Sequence, residues 1–511
     1  MLIFWYYYYG DSMRLGNIKT FFTKKDKQIL YFLTVIISSL IIIKCFKLHY
    51  ASDTYRALCL GLDVYGKYAI LALGRIFSWI YFELIVDLNF NTICIIKTSL
   101  SIIIASFCIL VTYSKFITYF KKNIKNIIII YLLSFICIIN PFSIELFYYI
   151  ESPIMWLSIL TSILASIFFI SKYKHKYILS ILLLLFTIFS YQPNINVFIC
   201  YTLFLILFEQ YNIKKFFKMT VLCGIEYGFV AFINMIFIFY VLNPIFNVSK
   251  YKYATHFTLD GFLKIIKFML KHLFINSYPK YLYLIIYIIL VLSIIFILYH
   301  KKKLIKNLFC YLSVLFLIVI FSLLPTLSFD VNNLYFGTRF FIAIVMSFLL
   351  SIIYIYNYLF TNKKNQNIFL FFVLSLFIFN SFYCFNLLNN QFKINKIDSN
   401  QLTTINKVLS SYEDYNKVSP NNIFITLTFS NDKIINYKID NEEIKINYNI
   451  SFFQNAISNN VFILDALNYY NGKNRNYPTI KFAYSYDTKC EDIFKHNIFE
   501  YDNDLYFCFD Q

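Results

Sequence analysis

Residues 24–46 read KKDKQILYFLTVIISSLIIIKCF and decide the fold of the chain, because a short basic segment is followed there by one long apolar run. The run 28–46 has the length of a helix that spans a bilayer, and no small-residue cleavage site follows it. We therefore predict an uncleaved signal-anchor helix, preceded by a cytoplasmic segment at residues 1–27. The same alternation of lysine clusters and apolar runs continues along the chain.

The composition of the whole chain also indicates a membrane protein. Hydrophobic residues form 59% of the chain and charged residues 14%, which excludes an ordinary soluble domain. The net charge of +19 would suggest nucleic-acid binding in a soluble protein. Here the lysines stand in clusters between apolar runs of bilayer-spanning length, so we interpret them as orientation charges and lipid contacts. The sequence predicts a polytopic α-helical membrane protein with no nucleic-acid partner.

The apolar runs predict a bundle of about eleven transmembrane helices within a membrane domain at residues 28–388. The predicted spans are residues 28–46, 92–113, 126–142, 153–171, 177–192, 195–212, 219–243, 281–299, 308–325, 340–360 and 368–388. Short lysine-rich loops stay cytoplasmic, so this odd count leaves the N-terminus inside and the C-terminus outside. It also predicts a first outer loop at residues 47–91 and an extracytoplasmic C-terminal domain, of α/β or mainly β type, at residues 389–511.

The cysteines indicate neither a metal site nor a catalytic thiol. Eleven are present without a CxxC motif or a Cys/His cluster, and most lie inside apolar runs as small buried side chains. In the C-terminal domain Cys490 and Cys508 would be free to form a disulfide in an oxidising compartment, and two free thiols are the alternative. No glycine-rich nucleotide loop, no zinc motif and no Ser/His/Asp grouping is present, so we predict no cofactor; the residues do not indicate a metal, and a divalent metal is left open as the alternative.

Polar residues concentrate in the first outer loop. Residues 50–83 read YASDTYRALCLGLDVYGKYAILALGRIFSWIYFE and contain Asp53, Arg56 and Arg75. Charges placed just beyond a span are expensive unless they bind or transform something polar. Arginine is scarce in this chain, and the topology places Arg339 at the outer surface as well. Because arginine grips phosphate with two parallel hydrogen bonds, we predict a site for an anionic lipid headgroup; arginines snorkelling to interfacial water are the alternative.

Carboxylates at the same side of the membrane complete the predicted site. Asp53 stands three residues before Arg56, so the two would share a face of a helical turn. Glu145 and Glu151 lie in the turn between the third and fourth spans, where the alternative is a solvated loop residue. A carboxylate acting as general base on an acceptor hydroxyl, with cations around a departing phosphate, is sufficient for glycosyl transfer. We therefore predict that Asp53 and Glu151 are active-site residues.

Five short motifs resemble, in order, those of the type II glucosyltransferases that modify bacterial O-antigen and convert serotype. They are Ser52-Asp53-x-Tyr55-Arg56, Gly74-Arg75, Asn140-Pro141-Phe142 with Glu145 and Tyr148-x-x-Glu151, Tyr191-Gln192, and Gly337-Thr338-Arg339. The resemblance covers roughly residues 27–388, and the first motif is its most specific part. The chain departs from the family in having Ser52 before Asp53, where paired aspartates are usual, and glutamate at position 151, where aspartate is usual.

The resemblance implies a GT-C type membrane glycosyltransferase of the bacterial inner membrane. Its donor would be a polyprenyl-phosphate sugar, undecaprenyl phosphate-glucose in the first instance, and its acceptor an O-antigen, lipopolysaccharide or other surface glycan on the periplasmic face. Asp53 would be the general base of an inverting displacement. The implied donor-phosphate ligands are Arg56, Arg75 and Arg339, and the implied sugar or acceptor contacts are Glu145, Tyr148, Glu151 and Gln192. Some enzymes of this fold use a divalent metal.

Two other functions fit a chain with many spans and outer arginines. A transporter or flippase of lipid-linked glycans would need both features, but such proteins tend to show internal repeats and Gly/Pro-broken spans at mid-membrane. The sequence shows neither, since its charges stand at the ends of the predicted spans. A mere anchor for the C-terminal domain would not need ten further spans.

Overall fold

The computed structural model describes the greater part of the chain, and the architecture below concerns those residues. They are residues 24–47, 54, 57, 61–121, 123–209, 212–246, 305–323, 342–359, 363–416, 420, 423–429, 436–439, 442–445, 480–486, 498–501 and 504–510. The α-helices are α1 Lys24–Ile42, α2 Leu62–Tyr65, α3 Ile76–Ile85, α4 Phe90–Phe116, α5 Ile124–Ile138, α6 Ser152–Ile170, α7 Lys176–Ser190, α8 Ile195–Phe208, α9 Ile213–Ile236, α10 Asn243–Phe246, α11 Ile305–Leu323, α12 Ile342–Leu359 and α13 Lys363–Asn416.

The chain is a helical membrane protein, as its composition predicts. Five helical stretches are long and apolar enough to cross a bilayer: Gln28–Phe46, Phe90–Tyr119, Ser152–Ile170, Ile213–Leu242 and Gln366–Asn416. Shorter apolar helices of 10–17 residues occupy Ile76–Ile85, Ile124–Ile138, Lys176–Ser190, Gln192–Phe208, Phe309–Ser322 and Ile342–Asn357. The described residues therefore do not reach the predicted count of eleven spans. Five predicted spans fall on these shorter apolar stretches, and the predicted span 281–299 lies outside the described residues.

Contacts between distant segments define two ends of the helix bundle. The first, which we call the site end, contains residues 43–47, 70–78, 90–98, 139–151 and 190–194. There Thr98 Oγ1 donates to the carbonyl of Cys45 at 2.8 Å, joining α4 to the end of the first span. At the opposite end Tyr119 Oη donates to Glu209 Oε1 at 2.8 Å, and Lys115 Nζ lies 3.7 Å from the same carboxylate. Loops that the sequence assigns to one side of the membrane therefore meet at one end of the bundle.

Helices α6, α7 and α8 pack through a seam of small polar residues. Thr161 Oγ1 and Thr187 Oγ1 are 2.8 Å apart, and Ser162 Oγ donates to the Asn194 carbonyl at 2.9 Å. Asn194 Nδ2 in turn donates to Ser158 Oγ at 2.7 Å. Small side chains let membrane helices approach closely, and their hydroxyls satisfy one another where water is absent. This seam fixes the 190–194 turn against the start of α6.

Residues 139–151 form a buried turn between α5 and α6, and every residue of it is buried. Non-helical backbone is tolerated at membrane depth only where it is covered by protein or lines a polar space, since its carbonyls and amides need partners. Asn140 supplies some of them, because its Oδ1 accepts from the backbone N–H groups of Phe142 at 3.0 Å and Ser143 at 3.2 Å. Asn380 of α13 donates to the Ile139 carbonyl at 2.8 Å.

Helix α13 runs without a break from Lys363 to Asn416, so the predicted boundary at residue 388 falls inside a helix. No glycine or proline interrupts this stretch, and its polar half continues the helix that the apolar half begins. Phe392, four residues past that boundary, still lies beside the site end, with its ring 5.5 Å from Lys44 Nζ. The change in hydropathy at residue 388 therefore coincides with no break in the backbone.

The C-terminal residues that the structure describes contain six strands, β1 Ile423–Phe429, β2 Asn436–Ile439, β3 Glu442–Lys445, β4 Ile480–Tyr486, β5 Ile498–Tyr501 and β6 Asp504–Asp510. Four form a mixed sheet in the order β4-β1-β6-β5, in which β1 pairs in parallel with both neighbours and β5 and β6 form an antiparallel pair. Strands β2 and β3 pair separately as an antiparallel ladder. That residues 389–511 form a distinct extracytoplasmic domain stays a prediction.

Candidate functional site

Gly74 and Arg75 form a sharp corner between two short helical segments. Gly74 has φ +80°, its N–H donates to the Leu71 carbonyl at 2.8 Å, and the Arg75 N–H donates to the Ile70 carbonyl at 3.3 Å. This pair of bonds is the Schellman motif, in which a left-handed residue ends one helix. Helix α3 begins directly afterwards at Ile76. The sequence pair Gly-Arg thus turns the chain and leaves the arginine at the corner.

The guanidinium of Arg75 is fixed by three side chains that come from elsewhere in the chain. Its Nε donates to Gln192 Oε1 at 3.1 Å, and its Cζ lies 4.8 Å from the centre of the Tyr191 ring. Its Nη1 lies 3.9 Å from Glu151 Oε1, and the arginine side chain is 19% exposed. An aromatic face and an amide acceptor together hold the plane of the guanidinium.

Gln192 connects both sides of the corner. Its Nε2 donates to the Leu73 carbonyl at 2.6 Å while its Oε1 accepts from Arg75. Next to this corner, helix α3 packs against the end of α7, where Ser78 Oγ donates to the Ser190 carbonyl at 3.0 Å. One glutamine therefore satisfies a carbonyl left at the end of the helical segment and orients the cation.

Glu151 stands at the start of α6, where its carbonyl accepts the first helical hydrogen bonds, from the N–H groups of Ile154 and Met155. Its side chain is 9% exposed. A carboxylate at a helix N-terminus is stabilised by the partial positive charge there, and a nearby guanidinium adds to this. The distance of 3.9 Å to Arg75 Nη1 is longer than a direct charge-assisted hydrogen bond.

Two tyrosine hydroxyls, one near Glu151 and one near Glu145, are held in the protonated form. Burial, and then the neighbouring Glu151 carboxylate, raise the pKa of Tyr81 on α3. Burial, and then Cys45 and Glu145, raise the pKa of Tyr148 well above its usual range. Each phenol is therefore a hydrogen-bond donor and not a base at neutral pH. One end of the bundle therefore contains a cation, an acid and two buried phenols.

The structure brings together three of the predicted site residues, Arg75, Glu151 and Gln192. Glu145 lies on the same buried turn, 3% exposed, and accepts a hydrogen bond from Tyr149 Oη at 3.1 Å. Tyr148 is part of that turn and is 2% exposed. The remaining predicted residues, Asp53, Arg56, Arg339 and Cys490, lie outside the described residues. Cys508 lies on β6 opposite Thr426 of β1, and its proposed disulfide is untested.

Sequence reasoning missed three residues of this region. Tyr191 enters the sequence motifs only as the neighbour of Gln192, Tyr81 lies in an apolar stretch, and Lys97 lies inside a predicted span. Lys97 is the sixth residue of the predicted span 92–113, so the expectation that charges stand at the ends of the spans is wrong for it, and a charge there, which is expensive to bury, is the signal that could have identified it. The two tyrosines carry no comparable signal in a chain with 46 tyrosines.

Comparisons with known proteins add no identification. No protein-family model matches the chain, and neither the curated proteins nor the solved structures contain a match to it. Among the described residues, no group of three or more His, Cys, Asp or Glu side chains could hold a metal ion. The function must therefore be argued from the chemistry of the site end.

Proposed function

We propose that this protein is a membrane glycosyltransferase that moves a sugar, glucose in the first instance, from a polyprenyl-phosphate donor to a surface glycan on the outer face of the bacterial inner membrane. The observation that carries the proposal is the arrangement around Arg75, where Gln192 and Tyr191 orient a guanidinium 3.9 Å from Glu151. A fixed guanidinium suits a phosphate ester, and the adjacent acid and phenols suit sugar hydroxyls.

The proposed reaction is a direct inverting displacement. The acceptor hydroxyl attacks the anomeric carbon, Asp53 takes its proton, and the bond between that carbon and the phosphate oxygen breaks. Arg75, together with Arg56 and Arg339, stabilises the polyprenyl phosphate that leaves. Glu151, Glu145, Tyr148 and Gln192 are the proposed contacts to sugar or acceptor, and no metal is assigned a step.

The proposal includes a topology of eleven spans with the N-terminus cytoplasmic, which would put the site end outside, and an extracytoplasmic C-terminal domain. Support comes from the separation of the two ends, because Arg75, Glu151 and Gln192 meet at one end and the lysine cluster of residues 172–176 lies near the other. An alkaline phosphatase fusion after Asn400 tests this orientation. An active fusion is expected, and an inactive one would reverse the assignment of sides.

Sugar transfer tests the function directly. Membranes containing the wild-type protein are incubated with a short-chain polyprenyl-phosphate glucose, labelled in the sugar, and with membrane-extracted surface glycan. Labelled glycan and free polyprenyl phosphate should appear in equal amounts. We expect Asp53→Asn to abolish transfer, and Arg75→Lys to lower kcat/KM by about 10- to 100-fold, since a bidentate charged contact contributes about 1.5–3 kcal/mol.

The matched control is Lys172→Met, which removes an exposed cation at the opposite end and should transfer at the wild-type rate. Transfer that survives Asp53→Asn at near wild-type rate would overturn the role of Asp53. A wild-type protein that moves labelled donor lipid across the bilayer without releasing polyprenyl phosphate would instead be a flippase, the alternative that shares these residues.

A further inference from the structure

Lys97 is a buried cation inside a membrane-spanning helix. It lies on α4 and is 1% exposed. Of the carboxylates that the structure describes, none lies within 4.0 Å of its Nζ, whereas both ion pairs found among those residues involve other cations. A lysine in this position is costly, so its partners indicate what it does.

The partners of Lys97 are two backbone carbonyls of the buried turn. Its Nζ donates to the carbonyl of Phe147 at 3.3 Å and to that of Tyr148 at 3.1 Å. One helical turn further along α4, Ser101 Oγ lies 2.7 Å from Ser152 Oγ. A single face of α4 therefore holds the chain on both sides of Glu151.

These carbonyls need a strong donor. They belong to the end of the 3₁₀ helix Ile144–Tyr148, where the backbone turns from one helix direction to the next and leaves acceptors without helical partners. Water is scarce at this depth, and an unsatisfied carbonyl there is expensive. An ammonium forms stronger hydrogen bonds than a neutral donor and reaches two carbonyls at once.

We propose that Lys97 is a positioning residue, which sets the distance between Glu151 and Arg75 by fixing the backbone of residues 147–148. It acts through that backbone and touches neither side chain. The part of this inference that concerns activity rests on the proposed function, whereas the part that concerns geometry does not.

A cysteine at position 151 reports the geometry without any assumption about activity. Glu151→Cys is made in the wild-type background and together with Lys97→Met, Lys97→Arg or Lys97→Gln, and the rate of modification by a membrane-impermeant methanethiosulfonate is measured. We expect Lys97→Met to raise the rate at least tenfold, because the turn loosens, and Lys97→Arg to return it to near the starting value. Lys97→Gln, which keeps one donor group, should lie between them.

Two controls separate this effect from general unfolding. Lys115→Met removes a cation that is paired with Glu209 at the opposite end and should leave the rate at position 151 unchanged. Cys200, which is fully buried in α8, should stay unmodified in every variant that is folded. Equal rates at position 151 with lysine, methionine and arginine at position 97 would overturn the proposal.

Transfer kinetics supply the second readout. Lys97→Met and Glu151→Gln are measured singly and together; a positioning role predicts that the double variant loses little more kcat/KM than the worse single variant, because both changes disturb one unit. A double variant whose loss of kcat/KM equals the product of the two single losses would contradict the positioning role. If the wild-type protein shows no transfer, the proposed function fails, and the modification rates still decide the role of Lys97.

Discussion

Gly74→Ala is the change that most directly tests the corner carrying Arg75. The backbone there has φ +80°, which side chains other than glycine rarely adopt. A Cβ at this position would lie 3.0 Å from Ile238 Cγ1, 3.1 Å from Ile238 Cδ1 and 3.4 Å from Asn234 Oδ1. The substitution therefore strains the turn and also presses on the segment that follows α9.

The two costs can be assigned separately. The left-handed conformation costs alanine roughly 1–2 kcal/mol, and overpacking costs typically about 1–3 kcal/mol. Because Ile238 is only half-buried and its end can move, the second cost should fall at the low end. We expect Gly74→Ala to lower the free energy of unfolding by about 2–3 kcal/mol and to reduce transfer further by displacing Arg75.

Unfolding in mixed micelles, followed by circular dichroism against the mole fraction of a denaturing detergent, measures this change. Gly228→Ala is the matched control, since Gly228 lies inside α9 and a Cβ there meets nothing within 4 Å. Its stability should be unchanged or raised by up to about 1 kcal/mol, the helix preference of alanine over glycine. The reasoning would be refuted if the two variants unfolded at the same detergent fraction as the wild type.

Two further substitutions test contacts around the site. Gln192→Leu removes the acceptor for Arg75 Nε and the donor for the Leu73 carbonyl, and we expect kcat/KM to fall by about tenfold, with Gln192→Glu losing less because it keeps the acceptor. Transfer at the wild-type rate with leucine would show that the amide does not orient the cation. Asn194→Leu removes donors to the Met155 carbonyl and Ser158 Oγ, and a buried loss of this kind should cost about 1–3 kcal/mol in the same unfolding assay. Unfolding indistinguishable from the wild type would mean that this seam contributes little.

The positions of most helices follow from the sequence, because they depend on local apolar runs. Lysine clusters also separate the loops into two sets, and contacts such as Thr98 with Cys45 and Tyr119 with Glu209 agree with that separation. Helix α3 packs against α7 through Ser78, a contact that no feature of the segment itself indicates.

The candidate site could be predicted only in part. The Gly-Arg pair is visible in sequence because glycine ends helices in the left-handed conformation, and scarce arginines draw attention in a chain rich in lysine. The partners of Arg75 are not visible in the sequence. Gln192 follows Arg75 by 117 residues, and no local pattern indicates that the two side chains meet. Lys97 appeared to be one more residue of a predicted span.

The amino-acid sequence by itself determined that this is a helical membrane protein, where most of its described helices form and which of their loops share an end, because each depends on residues close together in the chain. Only the tertiary structure decided that residues 139–151 are buried, that Lys97 holds their carbonyls and that Glu151 faces Arg75. The physical reason is that a buried polar group must find its partner on whichever helix packs beside it, and that helix is chosen by the packing of the whole bundle.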